Sequence, residues 1–412
     1  MNVLLITNNF PPNYVGGAEI AASHSCYGLR QRGVECEVLC VYARAPETTW
    51  GHYTFKDIPV HRVSLKRIPT EAARVFDPRV YQLVRKELER SKPDLVHVHN
   101  VSGASLAPFE ACHRLGVPVV LTLHDHWLLC PNNMLFRRDG SLCNPQDSRL
   151  HCRDCYRRYD FWGSIPLRRQ MFAWLTRHVR RFISPSRKLV DLHVAAGYDR
   201  QRFRVLRYGL EPGLLGEEAS ALKLAEVVGN KEANVMMFAG QIVETKGLGT
   251  LAKALPLLNR YIEGFHLWVA GAGDEACLRE LRYFTPRPVH LLGKLPFYEM
   301  KALYAAAGLT VVPSIWYDNS PMVICESMLA GTPALGSAIG GIPELITEGQ
   351  TGYLFPPGDP VALAEKAILH FALSAPERQA MRQRCIQWAQ ENLSLERHVE
   401  GLLEIYREAL EQ

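Results

Sequence analysis

The chain has 412 residues, too many for one ordinary core, so two domains are the default. Hydrophobic residues make up 47% and charged residues 22%, the balance of a soluble globular protein, and no apolar run is long enough for a transmembrane helix. The net charge of +5 hides an asymmetry: residues 1–210 carry 31 Lys and Arg against 18 Asp and Glu, and the remainder carries 16 against 24. Two halves of opposite sign are expected to meet different partners.

The start, MNVLLITNNFPP, lacks the positive n-region and long apolar run of a signal peptide and reads as a first strand, VLLIT (3–7). A cytoplasmic protein is expected. In NYVGGAE (13–19), Gly16 and Gly17 let the backbone approach a ligand at the start of a helix near 18–32. EVLCVY, DLVHVH (94–99) and PVVLTLH (118–124) are buried-strand runs separated by helical stretches, the rhythm of a doubly wound α/β sheet. His124 closes the third run, at a strand's carboxyl end where the active groups of such sheets gather. A lone His is more often structural, but this one is well placed.

The rhythm breaks at 125–160, a segment rich in Cys, Arg and Asn that holds Cys130, Cys143, Cys152 and Cys155. In a reducing compartment such a cluster favours a structural zinc, with free thiols, a disulfide or an iron–sulfur cluster as alternatives. A metal would order a loop otherwise too long and polar to order itself. The following stretch, RRYDFWGSIPLRRQMFAWLTRHVRRF (157–182), reads either as a solvated helix face or as contact with an anionic surface, a membrane leaflet or a phosphorylated acceptor. No recognition motif accompanies the charge, so nucleic acid is not expected. RFISPS and FRVLRY resume the strands, and YGLEPGLLGEE (208–218) reads as a linker.

A second strand series follows: NVMMFAG, FHLWVAG, VHLLG, LTVVPS, TPALGS and GYLF. The tail, 376–412, reads as two helices. The organisation expected is a domain over 1–209 with the insertion at 125–160, a domain over 210–390, and a last helix over 391–412 packing back toward the first domain. Ligands of such sheets bind at the carboxyl ends of the strands, which places them in a cleft between the two domains.

Two stretches of the second half carry charge suited to an anion. In FAGQIVETKGLGTL (238–251) a strand ends at Gly240, and Lys246 opens a helix where it could neutralise a diphosphate. In WYDNSPMVICESMLAGTP (316–333), Ser320 can cap a helix that Pro321 begins. The amides of Met322 and Val323 then point out of the helix start, an anion site suited to phosphate. Glu326 lies within reach of a ribose, whose two hydroxyls a carboxylate can accept. Asp318 sits on the loop side, where a sugar beyond the phosphates would lie. The plain alternative is local capping by Asp318 and a surface position for Glu326. A third stretch, VAGAGDEA (269–276), matches the dinucleotide pattern through Gly271, Gly273 and Ala276, but the next strand, VHLLG, ends in Gly293 and Lys294 without the acid a ribose would need.

Together, the Gly16–Gly17 loop, His124, the turn with Gln241 and Lys246, and the pair Asp318 and Glu326 with seven residues between them resemble the retaining GT-B glycosyltransferases of family 4. GGIPELITEGQTGYLFPPGD (340–359) resembles that family's late segment, and the resemblance covers nearly the whole chain. It implies a GT-B fold of two Rossmann-like parallel-sheet domains, the first binding the acceptor and the second a nucleotide-diphosphate sugar. It further implies transfer of a sugar to a glycan or lipid-linked acceptor hydroxyl with retention of configuration, in surface polysaccharide or glycolipid synthesis, without a cofactor for catalysis. Gly16, Gly17, Gln241, Lys246, Asn319, Ser320, Met322, Val323 and Glu326 would grip the donor, and His124, Asp318 and Lys246 would be catalytic. Some relatives carry a similar Cys set after the corresponding histidine segment, consistent with a structural zinc, and the basic first half would permit peripheral contact with the inner face of a membrane.

Three positions depart from the family pattern. Asp318 stands where Glu is usual, Gln241 where a basic residue is common, and Tyr208-Gly209 where Asn-Gly is frequent. A catalytically weak or inactive GT-B scaffold and a nucleotide-sugar epimerase are the alternatives.

Overall fold

Alternation along the first strand shows how the first sheet is covered. In β1 (Asn2–Thr7), Leu4 and Ile6 enter one core with Val84 and Phe109, while Val3 and Leu5 enter another with Ala22, Cys26, Leu402 and Tyr406. A strand buried on both faces needs apolar residues at every position, which is why it reads as a continuous run. A computed structural model of the chain describes residues 1–13, 16–68, 71–99, 101–146, 155, 165–211, 234–284 and 289–411. The chain divides into two units, Met1–Glu211 with Ser394–Gln412, and Pro212–Leu393.

The first unit holds an eight-stranded sheet. Besides β1 it contains β2 (Glu35–Ala45), β3 (Thr49–Phe55), β4 (Ile58–Lys66), β5 (Leu95–Val98), β6 (Val119–Thr122), β7 (Val179–Ser184) and β8 (Phe203–Val205). Their order is β3-β4-β2-β1-β5-β6-β7-β8, parallel throughout except for the β3–β4 hairpin. That hairpin has no counterpart in the sequence reading. Edge strand β3 is mostly exposed, so it lacks an apolar run, and its turn places Lys56 and Asp57 at positive φ rather than the usual Asn-Gly. On one face of the sheet the Leu395–Leu410 helix, capped by Ser394, lies against the Gly17–Gln31 helix.

The second unit holds β9 (Asn234–Ala239), β10 (Phe265–Ala270), β11 (Val289–Gly293), β12 (Leu309–Val312), β13 (Ala334–Ser337) and β14 (Gly352–Phe355). Their order is β11-β10-β9-β12-β13-β14, all parallel. Counted from β9 this is the doubly wound order 3-2-1-4-5-6, whose switch point lies between β9 and β12. Two parallel-sheet α/β domains are thus present, as the sequence implies.

The glycines of VAGAGDEA now have a packing role. A Cβ on Gly271 would meet the Gly240 carbonyl oxygen at 1.9 Å, and one on Gly273 the Ile242 carbonyl oxygen at 2.1 Å. They let the loop after β10 press against the loop after β9, and they lie one strand away from the switch point.

Much of the basic stretch is spent inside its own unit. Arg168 is buried, donates to the Trp127 carbonyl at 2.7 Å and stacks over Phe172 at 3.9 Å. Arg169 donates to the Pro145 carbonyl, and Arg181 pairs with Glu408 at 2.7 Å. Among the described residues no helix is long and apolar enough to cross a membrane.

Candidate functional site

In the second unit the switch point brings together residues 72 positions apart. Lys246 follows β9, Asp318 follows β12, and the Lys246 ammonium meets Asp318 Oδ2 at 2.6 Å. The Ser314 hydroxyl donates to the same oxygen at 2.9 Å. Asp318 is buried, Lys246 is partly exposed, and its ammonium lies 5.5 Å from the Trp316 ring centre. Two local features set this geometry. Lys246 ends a short 3₁₀ turn, Glu244–Lys246, and does not open the α-helix as its spacing suggests. Gly247 intervenes at φ +75°, where a Cβ would lie 1.7 Å from the Pro313 carbonyl oxygen, and the helix starts only at Leu248. Gly340, at φ +61°, gives the Asp318 backbone the same close approach, and the Gly341 N–H donates to the Asp318 carbonyl at 2.8 Å. Gln241 is exposed in the loop that leads to Lys246.

The helix after Asp318 runs Met322–Leu329. Its N-cap is Pro321, not Ser320 as its sequence suggests, and no side chain caps it. Pro321 has helical φ but extended ψ (−66°, 116°), which shifts the start by one residue, while Asn319 and Ser320 are buried ahead of it. Met322 and Val323 are then the first two helical residues, whose N–H groups have no partner within the helix. Glu326 follows on the same helix, partly buried, and accepts a hydrogen bond from the Tyr304 hydroxyl at 3.0 Å. Burial raises its carboxyl to about 7, with the Tyr304 bond acting in the opposite direction. The loops and helix that follow β9 and β12 thus carry an ammonium, two helix-start amides and a carboxyl group.

In the first unit, Gly17 is the first residue of the Gly17–Gln31 helix. The Gly16 N–H already donates to Glu19 Oε2 at 3.0 Å, the returning half of a capping box whose other half glycine has no side chain to supply. His124 follows β6, and both of its ring nitrogens are engaged. Nε2 is 3.1 Å from His99 Nδ1, and Nδ1 is 2.9 Å from the Tyr208 hydroxyl. The His99 and Tyr208 rings lie in planes tilted 26° and 16° from that of His124, with centroids 5.3 and 5.6 Å away. Burial, then the nearby His398, lowers the His124 pKa to about 3, so the ring is neutral at ordinary pH. His99 went unremarked in the sequence. The signal lay in DLVHVH, whose period-2 alternation puts His97 and His99 on one side of the strand direction.

The Cys-rich segment is described over 125–146 and at Cys155, and Cys152 lies outside the described residues. Asp125 accepts from the Trp127 N–H and the Asn133 amide, and the backbone pairs between Arg137 and Ser141. Burial raises the Cys143 thiol pKa, with smaller upward contributions from nearby Cys130 and Cys155. Among the described residues, the group of three metal-capable side chains whose ligand atoms lie within 4.8 Å of one another is Glu37, His61 and Glu87. Arg90 pairs with both of those carboxylates and offsets one of their two negative charges.

Comparisons with known proteins identify the family and the fold. Residues 15–213 match the model described as Glycosyltransferase Family 4, and residues 233–371 match Glycosyl transferases group 1. A glycogen synthase of Thermus caldophilus is 32% identical over 455 residues, with 97% of each chain covered. An uncharacterized glycosyltransferase of Methanocaldococcus jannaschii is 24% identical over 384 residues, covering 88% of this chain and 87% of that one. Among solved structures, Anabaena HepE in complex with UDP-glucose aligns over 99% of both chains with a TM-score of 0.73 at 19% identity, which establishes a shared fold.

Proposed function

Because the chain belongs to the group 1, family 4 glycosyltransferases, we propose that it moves a sugar from a nucleoside-diphosphate donor to an acceptor hydroxyl with retention at the anomeric carbon. The observation that carries this reading is the meeting of Lys246 and Asp318 at the switch point, beside an uncapped helix start and Glu326. The Met322 and Val323 amides and Lys246 would hold the diphosphate. Glu326 would take the ribose hydroxyls, and Asp318 a hydroxyl of the donor sugar. The HepE complex contains UDP-glucose, which supports a nucleotide sugar as ligand of this fold.

In the mechanism we favour, the acceptor hydroxyl attacks from the face that the diphosphate leaves. The leaving phosphate oxygen takes the acceptor proton as the old C–O bond breaks and the new one forms. The main task of the protein is then to stabilise charge on the departing diphosphate. Lys246 must turn from Asp318 toward that charge, which would make Asp318 available to the sugar. A neutral His124 would orient the sugar by giving one of its two present ring contacts over to a sugar hydroxyl, without transferring a proton.

Thermal unfolding against a panel of nucleotides and nucleotide sugars, with Glu326→Ala alongside, tests the donor site. A shift with one nucleotide family that the variant loses supports it, and NMR of the product anomer then tests retention. No shift with any of them favours the scaffold alternative.

The thiol set of Cys130, Cys143, Cys152 and Cys155 matches a tetrahedral structural zinc in chemistry. Elemental analysis giving one zinc per chain, lost in Cys143→Ser, would support it, whereas metal-free folded protein would refute it. The basic first unit suits a lipid-linked or anionic acceptor in surface glycan synthesis, although Arg168, Arg169 and Arg181 are committed to internal partners. Co-sedimentation without preference for anionic liposomes would refute membrane contact.

A further inference from the structure

We propose that Tyr208 is a positioning residue that, together with His99, holds His124 in a single tautomer, with its ring proton on Nδ1 and directed at the Tyr208 oxygen. The inference deepens the reading of His124 as the sugar-orienting group and rests on it for its functional consequence.

The geometry comes from three separate pieces of the first unit. His99 follows β5, His124 follows β6, and Tyr208 lies beyond β8. The contacts run in line, from His99 Nδ1 to His124 Nε2 at 3.1 Å and from His124 Nδ1 to the Tyr208 hydroxyl at 2.9 Å. A neutral imidazole has one donor and one acceptor, so choosing one proton fixes the others. Two arrangements satisfy both contacts. If His124 donates from Nε2, His99 accepts at Nδ1 and must carry its own proton on Nε2. Among the described residues that nitrogen is buried without a partner, and His99 is only 2% exposed. A buried donor would be left unmade, the costlier kind of orphan. If His99 instead donates from Nδ1, its bare Nε2 is an unfilled acceptor, the milder defect. His124 then accepts at Nε2 and donates from Nδ1 to Tyr208.

The Tyr208 oxygen is therefore an acceptor toward His124, and its own proton is directed elsewhere. The near-parallel planes of the three rings let both bonds lie close to the plane of His124, where its nitrogen lone pair and N–H point. The nearby hydroxyl of Tyr406 is a useful contrast. It bonds His97 Nδ1 at 2.6 Å and does not touch His124.

The experiment is ¹⁵N NMR of protein labelled at histidine, with His124 assigned through His124→Gln, on the full chain and on Tyr208→Phe and Tyr406→Phe. The expected spectrum has His124 protonated on Nδ1 in the parent and Tyr406→Phe proteins, and shifted toward Nε2 protonation in Tyr208→Phe. In Tyr208→Phe, kcat for sugar transfer should fall roughly 10–100-fold with little change in donor KM, because the aim of the ring is lost and the phosphate grip is not. Nε2 protonation in the parent, or a tautomer unmoved by Tyr208→Phe, overturns the proposal. The NMR readout needs no turnover. A tautomer that responds in a protein that transfers no sugar would keep the positioning role and discard the glycosyltransfer reading of His124.

Discussion

Glu326 is the residue whose charge most depends on its surroundings. Its carboxyl rests at about 7 against an ordinary 4.5. Between those values the folded chain keeps a proton that the unfolded chain has lost. The stability of the empty protein is therefore undiminished below pH 4.5 and falls as pH rises through 7, by on the order of 3 kcal/mol. Ribose hydroxyls need the carboxylate, so donor affinity should run the opposite way and rise through pH 7. Calorimetric titration should show that rise in the parent. Glu326→Gln should be flat with pH and about 10–100-fold weaker at pH 8, the loss of charged hydrogen bonds. Tyr304→Phe removes the bond that acts against burial, so the midpoint should move upward.

Lys246 and Asp318 call for a paired test. Lys246→Ala leaves a buried carboxylate with Ser314 as its remaining described side-chain partner, at a cost of about 1–3 kcal/mol, since the pair is only partly buried. Adding Asp318→Asn should recover most of that stability without restoring diphosphate affinity. Scanning calorimetry and titration of the single and double variants separate the two effects. Recovery of affinity in the double variant would mean that Lys246 does not contact the diphosphate.

At the scale of elements, the site depends on loops that only glycine can complete. A methyl group on Gly340 would meet the Asp318 carbonyl oxygen at 2.1 Å, and the residue already sits at positive φ. Gly340→Ala should lower stability by roughly 2–4 kcal/mol and displace Asp318, so both the melting temperature and nucleotide binding should fall. Both close approaches were hidden in the sequence, because the atoms that crowd Gly247 and Gly340 come from chain segments 66 and 22 residues away in number. The strands themselves were legible. Burial on both faces makes each an unbroken apolar run, whereas the half-exposed β3–β4 hairpin left no such run and was missed. The helix start at Met322 was misread by one residue, since Ser-Pro is the usual opening of a helix and only the backbone angles of Pro321 reveal otherwise.

At the scale of the whole molecule, the first unit is completed by the far end of the chain. Leu395, Val399, Leu402, Ile405, Tyr406 and Ala409 enter the same core as Val3, Leu5 and Cys26. Deleting residues 394–412 removes burial worth on the order of 10 kcal/mol, comparable with the stability of a whole domain. Such a truncation should leave the first unit unfolded or aggregated, read as loss of one calorimetric transition. A surviving transition would show that the unit folds without its last helix. The sequence by itself determined the repeating strands and helices, the two α/β units, the family, and the residue types that suit a phosphate and a ribose. Those features depend on neighbours a few positions apart, through hydrogen bonding, periodicity and motif spacing. Only the tertiary structure decided that Lys246 rests on Asp318, that His99 and Tyr208 close both sides of His124, and that Arg168 is buried. Those contacts follow from sheet order, which gathers the ends of strands distant in the chain.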